Sequence, residues 1–197
     1  MRIQVADVDE GSVTHPDPAV NVAQTARLKA EAVAATAPAT AVVIAADTTV
    51  ALGNEMLNKP ADAAAARAML RHLRGRSHRV HTGIAAIEVG SGRLVTEVAT
   101  TTVVMRPYGD DEIDAYVASG DPLDKAGAYA IQHPGFRPVA RLQGCYTCVV
   151  GLSLCRLANA LRCLGLTLNL PVATATHNYR ECATCLALLA HLPPLTS

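Results

Sequence analysis

The chain has 197 residues, half of them apolar and 17% charged, with 17 basic and 17 acidic side chains and therefore no net charge. That length suits one domain with a sizeable core, and the charge balance leaves no global field to recruit DNA, RNA or a membrane surface, so an anionic ligand must be held locally. Aromatic residues make up 3% and Trp is absent, so the core must be built from Ala, Val, Leu and Ile, which suits β-α layering.

Residues 2–8 alternate loosely as a strand, and 11–18, with His15-Pro16 and Asp17-Pro18 steps, read as a loop. A helix is predicted over 19–37: Val22, Ala26, Ala30 and Val33 fall at helical spacing, Lys29 lies on a neighbouring face, and Pro38 stops it. The run 41–46, apolar on both faces, reads as the most buried strand and ends in Asp47-Thr48-Thr49. Gly53-Asn54 marks a turn, and 61–73 a helix with Asp62 near its N-terminus, where a carboxylate suits the helix dipole. Gly75 ends that helix.

Two strands, 78–89 and 94–105, are joined at Gly90-Ser91-Gly92 and are expected to pair antiparallel. A short amphipathic helix over 110–119 carries Ile113, Tyr116 and Val117, a strand is predicted near 138–142, and the last regular unit is a helix over 152–164. These elements make an α/β domain over 1–165 and leave 166–197 as a cysteine-containing tail.

The first ten residues contain no long apolar stretch of the kind a signal peptide needs, and nowhere do 18 apolar residues run uninterrupted, so a cytoplasmic protein is expected. All six cysteines fall between Cys145 and Cys185. The pairs Cys145/Cys148 and Cys182/Cys185 have the two-residue spacing that seats thiolates on one tetrahedral ion. A structural zinc or iron-sulfur site using Cys155, His177, Cys182 and Cys185 in some combination is one reading, and reduced thiols are the other.

Several stretches, in order, resemble the Maf family of nucleotide pyrophosphatases. They are Asp9-Glu10, Lys29-Ala30, Ala46-Asp47-Thr48, Asn58-Lys59-Pro60, the run from Leu73 to Gly83 through Arg76, His78 and Thr82, the run from Asp124 to Gln132, and Val149-Val150-Gly151-Leu152. The resemblance implies an inosine triphosphatase-like fold, an elongated mixed β-sheet flanked by helices, with a central cleft between two lobes. It also implies water attack that splits a nucleoside triphosphate into the monophosphate and pyrophosphate. The form Asp124-Lys125-Ala126-Gly127-Ala128-Tyr129 followed by Ile131-Gln132 resembles members acting on dTTP and UTP, and a homodimer is the family habit.

Under that resemblance each chemical requirement has a candidate. Breaking a phosphoanhydride needs a divalent metal or cations over the phosphates and a group that orients or deprotonates water. Asp47 fits as a ligand of Mg²⁺ or Mn²⁺ or as a general base, against the plainer role of capping a turn at a strand end. Glu10 is the second carboxylate, for metal or water, unless it is a solvated loop acid. Lys29, Lys59 and Lys125 are the only lysines, and all three are expected on the triphosphate as point charges. Gln132 offers a donor and an acceptor to the edge of a uracil or thymine ring. Arg76 and Thr82 are expected in the wall beside the phosphates, with His78 there as a structural residue.

The family's usual N-terminal strand and Ser-x-Ser-Pro-Arg-Arg turn do not precede these motifs, which leaves open an upstream start, or a catalytically impaired nucleotide-binding regulator of septum formation. A metal-binding interaction module built on the tail is a third alternative.

Overall fold

In the computed structural model, which describes residues 2–166, the elements in chain order are α1 (Pro18–Ala34), β1 (Val42–Leu52), β2 (Glu55–Leu57), α2 (Ala63–Leu73), β3 (Ser77–Glu88), β4 (Arg93–Met105), α3 (Asp110–Ala118), β5 (Val139–Gln143), α4 (Tyr146–Val150) and α5 (Leu154–Cys163). Short 3-10 turns cover Glu10–Ser12, Asp121–Asp124 and Ala126–Ala128. The tail beyond residue 166, with His177, Cys182 and Cys185, lies outside the described residues.

Local chemistry sets the helix ends. Asp17 caps α1 by accepting from the backbone N–H groups of Ala19 at 2.8 Å and Val20 at 3.4 Å, with Pro18 in the first turn, where its missing N–H costs nothing. Asp62 caps α2 by accepting from Ala65 N–H at 2.7 Å, and Gly75 leaves that helix with φ +67°.

The sheet runs β2-β1-β3-β4-β5. Helices flank it as expected, but each of its four pairings is antiparallel rather than mixed, because the β1-β2 hairpin and α2 return the chain to β1 in the opposite direction. β3 is the central strand and α1 covers one face. Ala85 and Ile87 pack with Ala26, Ala30 and Val43, while the intervening Ile84 and Ala86 point the other way onto Leu157, Ala160 and Leu161 of α5. The period of two along β3 thus separates two apolar layers. A larger cluster at the other end of the α5 face joins Val80 and Val103 to Leu70 and Leu73 of α2, Ile113 and Tyr116 of α3, and Tyr108, Tyr129 and Phe136.

Two expectations are corrected here. Residues 2–8 form no strand, and Ile3 and Val5 are almost fully exposed: an alternating pattern makes a strand only where an edge receives it. Nor is β1 the most buried strand. On its outer side β2 reaches only Val50–Leu52, so the edge over 42–49 is unpaired among the described residues, and Ile44 is 43% exposed. β3, flanked on both sides, is buried from Val80 through Ile87.

Close approach of α1 to the sheet depends on Gly83. A Cβ there would lie 2.3 Å from the carbonyl oxygen of Val22, in the helix backbone itself.

His78, 3% exposed, bonds through Nε2 to Tyr129 Oη at 2.8 Å, and its Nδ1 has no hydrogen-bond partner among the described residues. Burial pushes its imidazole pKa down to about 4, and His81 is lowered in the same direction, first by burial and then by Arg79. Between pH 6.5 and 4 the unfolded chain therefore binds more protons than the folded one, so stability falls as the pH drops through that window. Urea denaturation at pH 7, 6, 5 and 4.5 should show a slope approaching ~1.4 kcal/mol per pH unit from one such group, and His78→Asn should flatten it.

Candidate active site

One cavity of about 800 Å³ gathers the sequence's candidates: Glu10, Lys29, Asp47, Lys59, Lys125 and Gln132 all line it. They come from six places in the chain. Glu10 stands in the first 3-10 turn, Lys29 on α1, Asp47 in β1, Lys59 after β2, Lys125 between two further 3-10 turns, and Gln132 in the following loop. Consecutive residues from Ala46 to Val50 line the cavity, and alternate residues of a strand face opposite ways. The cavity therefore wraps around the open edge of β1 and reaches both faces of the sheet.

At one end, the Lys29 ammonium lies 2.7 Å from Asp47 Oδ1 and 2.9 Å from Glu10 Oε1. The side chains of Lys29 and Asp47 are 17% and 14% exposed, whereas that of Glu10 is half exposed. Burial pushes the Lys29 pKa down, but hydrogen bonds to Asp47 and Glu10 outweigh it and hold the group above its ordinary value. The ammonium is thus retained at neutral pH.

Lys125 makes a second charge cluster, with Nζ 2.7 Å from Asp124 Oδ1, 3.1 Å from Asp121 Oδ1 and 2.8 Å from the Asp121 carbonyl. Desolvation lowers its pKa, and the bonds to Asp124 and Asp121 more than reverse the effect. Lys59 is exposed and, among the described residues, makes no ion pair. It is the cation most readily available to an incoming anion.

Arg76 and Thr82 are not in the lining. Arg76 is an exposed residue just after Gly75, its backbone N–H bonded to Leu73 and its carbonyl to Met105. Thr82, wholly buried, stands one layer behind the cavity. Its hydroxyl lies 2.8 Å from Thr48 Oγ1 and donates to the Cys148 carbonyl at 2.7 Å. It ties the Asp47 strand to α4, whose Val149 and Val150 line the cavity with Gly151 beyond them.

Asn21, Thr25, Asn58, Asp124 and Tyr129 also line the cavity; the last three stand in the motif stretches without an assigned role, and the sequence reading does not single out Asn21 and Thr25. A signal for two of them was present: Asn21, Thr25 and Lys29 follow at i, i+4 and i+8, a polar stripe on one face of an otherwise Ala-rich helix. Thr25 bonds the Asn21 carbonyl at 3.0 Å, and Asn21 Nδ2 donates to the Val13 carbonyl at 3.0 Å.

Among the described residues no cluster of three or more His, Cys, Asp or Glu side chains could hold a metal ion, and no helix is long and apolar enough to cross a membrane. Cys148 is fully buried, and burial pushes its thiol pKa up, which disfavours the thiolate a metal requires. Cys155 is a buried residue of α5; the other three members of the tail site expected from sequence lie outside the described residues.

The protein-family model described as Maf-like protein matches residues 1–164. Similar curated proteins include the dTTP/UTP pyrophosphatase of Salinibacter ruber, 51% identical over 160 residues that cover 81% of this chain and 78% of that protein. The dTTP/UTP pyrophosphatase of Pelotomaculum thermopropionicum is 43% identical over 164 residues, covering 83% of this chain and 85% of the relative. A nucleoside triphosphate pyrophosphatase of Synechococcus is 41% identical over 167 residues, 85% of each chain.

Proposed function

The chain belongs to the Maf-like family, and from that premise we propose that it hydrolyses nucleoside triphosphates, dTTP and UTP foremost, to the monophosphate and pyrophosphate. The observation that carries the reading is the cavity in which the carboxylates of Glu10, Asp47 and Asp124, all three lysines of the sequence and Gln132 face one space.

Water must attack the α-phosphorus as the bond to the bridging oxygen breaks and pyrophosphate leaves with the electron pair. Lys59 and Lys125 are placed to hold the negative charge of the β- and γ-phosphates, the ammonium of Lys125 already fixed in position by Asp121 and Asp124. Holding that charge stabilises the departing pyrophosphate, because positioned cations act on charge that grows toward the transition state. Asp47, whose carboxylate keeps one oxygen outside its bond to Lys29, orients the attacking water and accepts its proton. Gln132 and Tyr129 lie on the lining at the far end of the Lys125 segment, and the Gln132 amide can pair with a pyrimidine's carbonyl and N3–H.

Glu10 and Asp47 also suit a divalent metal. Two hard carboxylates already share one cation, and Mg²⁺ is commonly held by one or two carboxylates with substrate phosphates and water completing its shell. Such an ion would neutralise phosphate charge and draw electrons from the reacting phosphorus.

The test is pyrophosphate release from a panel of triphosphates in the presence of Mg²⁺ or Mn²⁺. The expected outcome is pyrophosphate and monophosphate in equal amounts, with dTTP and UTP turned over faster than ATP or GTP. Release of orthophosphate in place of pyrophosphate would contradict the bond assignment, and faster turnover of purine substrates would contradict the role of Gln132.

A further inference from the structure

The position of Lys29 says more than that it binds phosphate. Its ammonium stands between two carboxylates at that end of the cavity, 2.9 Å from Glu10 and 2.7 Å from Asp47, which is where a divalent cation shared by both would have to sit. The side chain rises from α1 between layers that hold the helix on the sheet, with Ala26 and Ala30 wholly buried on either side in sequence. It cannot leave by moving the helix. It can only swing its flexible four-carbon stem toward the cavity.

Charge counting shows what that placement does. Glu10, Asp47 and Lys29 sum to one negative charge, a poor nest for a dication that would also face an ammonium at contact distance. A triphosphate changes both terms, since its oxygens give Lys29 new acceptors and add ligands for the metal. We propose that Lys29 is a built-in stand-in for the divalent cation, which closes the Glu10–Asp47 site to metal until a nucleotide's phosphates draw the ammonium away. Lys29 is then a positioning residue that couples metal binding to substrate binding. The inference rests on the assignment of Glu10 and Asp47 as the metal's carboxylates.

Lys125 provides an internal contrast. Its two carboxylates, Asp121 and Asp124, lie within four residues of it in one 3-10 turn, so that cluster is local, whereas Glu10, Lys29 and Asp47 are assembled from three separate elements. An assembly of that kind is the one a ligand can rearrange without unfolding a turn.

Removing the ammonium should open the metal site in the absence of nucleotide. In Lys29→Gln the amide still donates to carboxylate oxygen, which protects the fold, while the positive charge is gone. Electron paramagnetic resonance titration of nucleotide-free protein with Mn²⁺ alone should show tighter binding by Lys29→Gln than by the wild type, by about 5–150-fold, the range of ordinary site-to-site coupling. Lys29→Arg, which keeps the charge, should stay near the wild type, and Lys29→Gln combined with Glu10→Gln should lose the gain. Equal or weaker Mn²⁺ binding by Lys29→Gln overturns the proposal, as does tight binding by the nucleotide-free wild type that Lys29→Gln leaves unchanged. No turnover is read, so a failure here is separate from a failure of the pyrophosphatase assignment, which the product assay detects independently.

Discussion

Replacing Asp47 by Asn is expected to lower kcat for dTTP by about 10²–10⁴-fold, the usual contribution of a positioned acid-base group, while the chain still folds. Asn keeps the shape of the side chain but not the charge or basicity that orients water. The fold should tolerate the change because Lys29 retains Glu10 as a partner at 2.9 Å, so no ammonium is left without a counter-charge. The stability loss should stay within about 1–3 kcal/mol, the range for one charged hydrogen-bond partner removed at a partly buried site. Steady-state pyrophosphate release and a thermal melt separate the two effects. A variant that keeps a tenth or more of the wild-type kcat would remove Asp47 from the chemistry and return it to the role of a strand-end acid.

Gly83→Ala is expected to damage the molecule more broadly. The added Cβ would lie 2.3 Å from the Val22 oxygen, 2.5 Å from its carbonyl carbon and 2.8 Å from Ala23 N. All three are helix backbone atoms, so no side chain can rotate away. Relief requires α1 to lift from β3, loosening the layer of Ala26, Ala30, Ala85 and Ile87. Overpacking of this kind costs about 3 kcal/mol or more, and for a chain of this size each kcal/mol lowers Tm by roughly 2–4 °C. Circular dichroism melts should therefore show a drop of roughly 6–12 °C. Since α1 also carries Lys29, activity should fall at temperatures where the variant remains folded. A Tm within about 2 °C of wild type, inside the effect of one kcal/mol, would show that α1 is not held to the sheet as closely as the structure has it.

Much of this arrangement was legible in the sequence where the signal is local. The spacing of α1 placed Val22, Ala26 and Ala30 on its buried face, and the Gly90–Gly92 turn with its flanking β-branched residues gave the β3-β4 hairpin and its antiparallel sense. The ends differ by a few residues: α1 stops at Ala34 rather than 37, because the Thr36 and Ala37 N–H groups bond to Val33 and Ala34, three residues back, and tighten the chain out of the α-helix before Pro38. Two short elements escaped. β2 has three residues and exists only because Val50–Leu52 offers an edge. α4, five residues at the Cys145–Cys148 pair, is set by tertiary bonds such as those between Thr101 and Cys145 rather than by helical periodicity.

The site divides in the same way. Candidate chemistry was visible one residue at a time, in the acid at the end of an apolar run and in the scarcity of lysine. That they share one anionic pocket was implied by the family resemblance, whereas the direct contact of Lys29 with Glu10 and Asp47 arises only once α1 has packed across β1 and β3. Neighbourhood in sequence also misled: Thr82 and Arg76 sit in a motif-bearing stretch, yet one is a buried hydroxyl behind the cavity and the other an exposed turn residue. Thr82 is set back because β3 lies one strand in from β1, behind Thr48 and under the Cys148 carbonyl of α4, and Arg76 because it precedes β3 in the turn after Gly75.

The central claim is that separate carboxylates and lysines form one triphosphate site around the open edge of β1. A crystal structure with Mn²⁺ and an α,β-imido analogue of dUTP tests it most directly. The predicted result is anomalous density for Mn²⁺ between Glu10 and Asp47, phosphates against Lys59 and Lys125, and the uracil edge on Gln132. Nucleotide bound outside this cavity, or bound within it with its phosphates remote from both Lys59 and Lys125, would contradict the account.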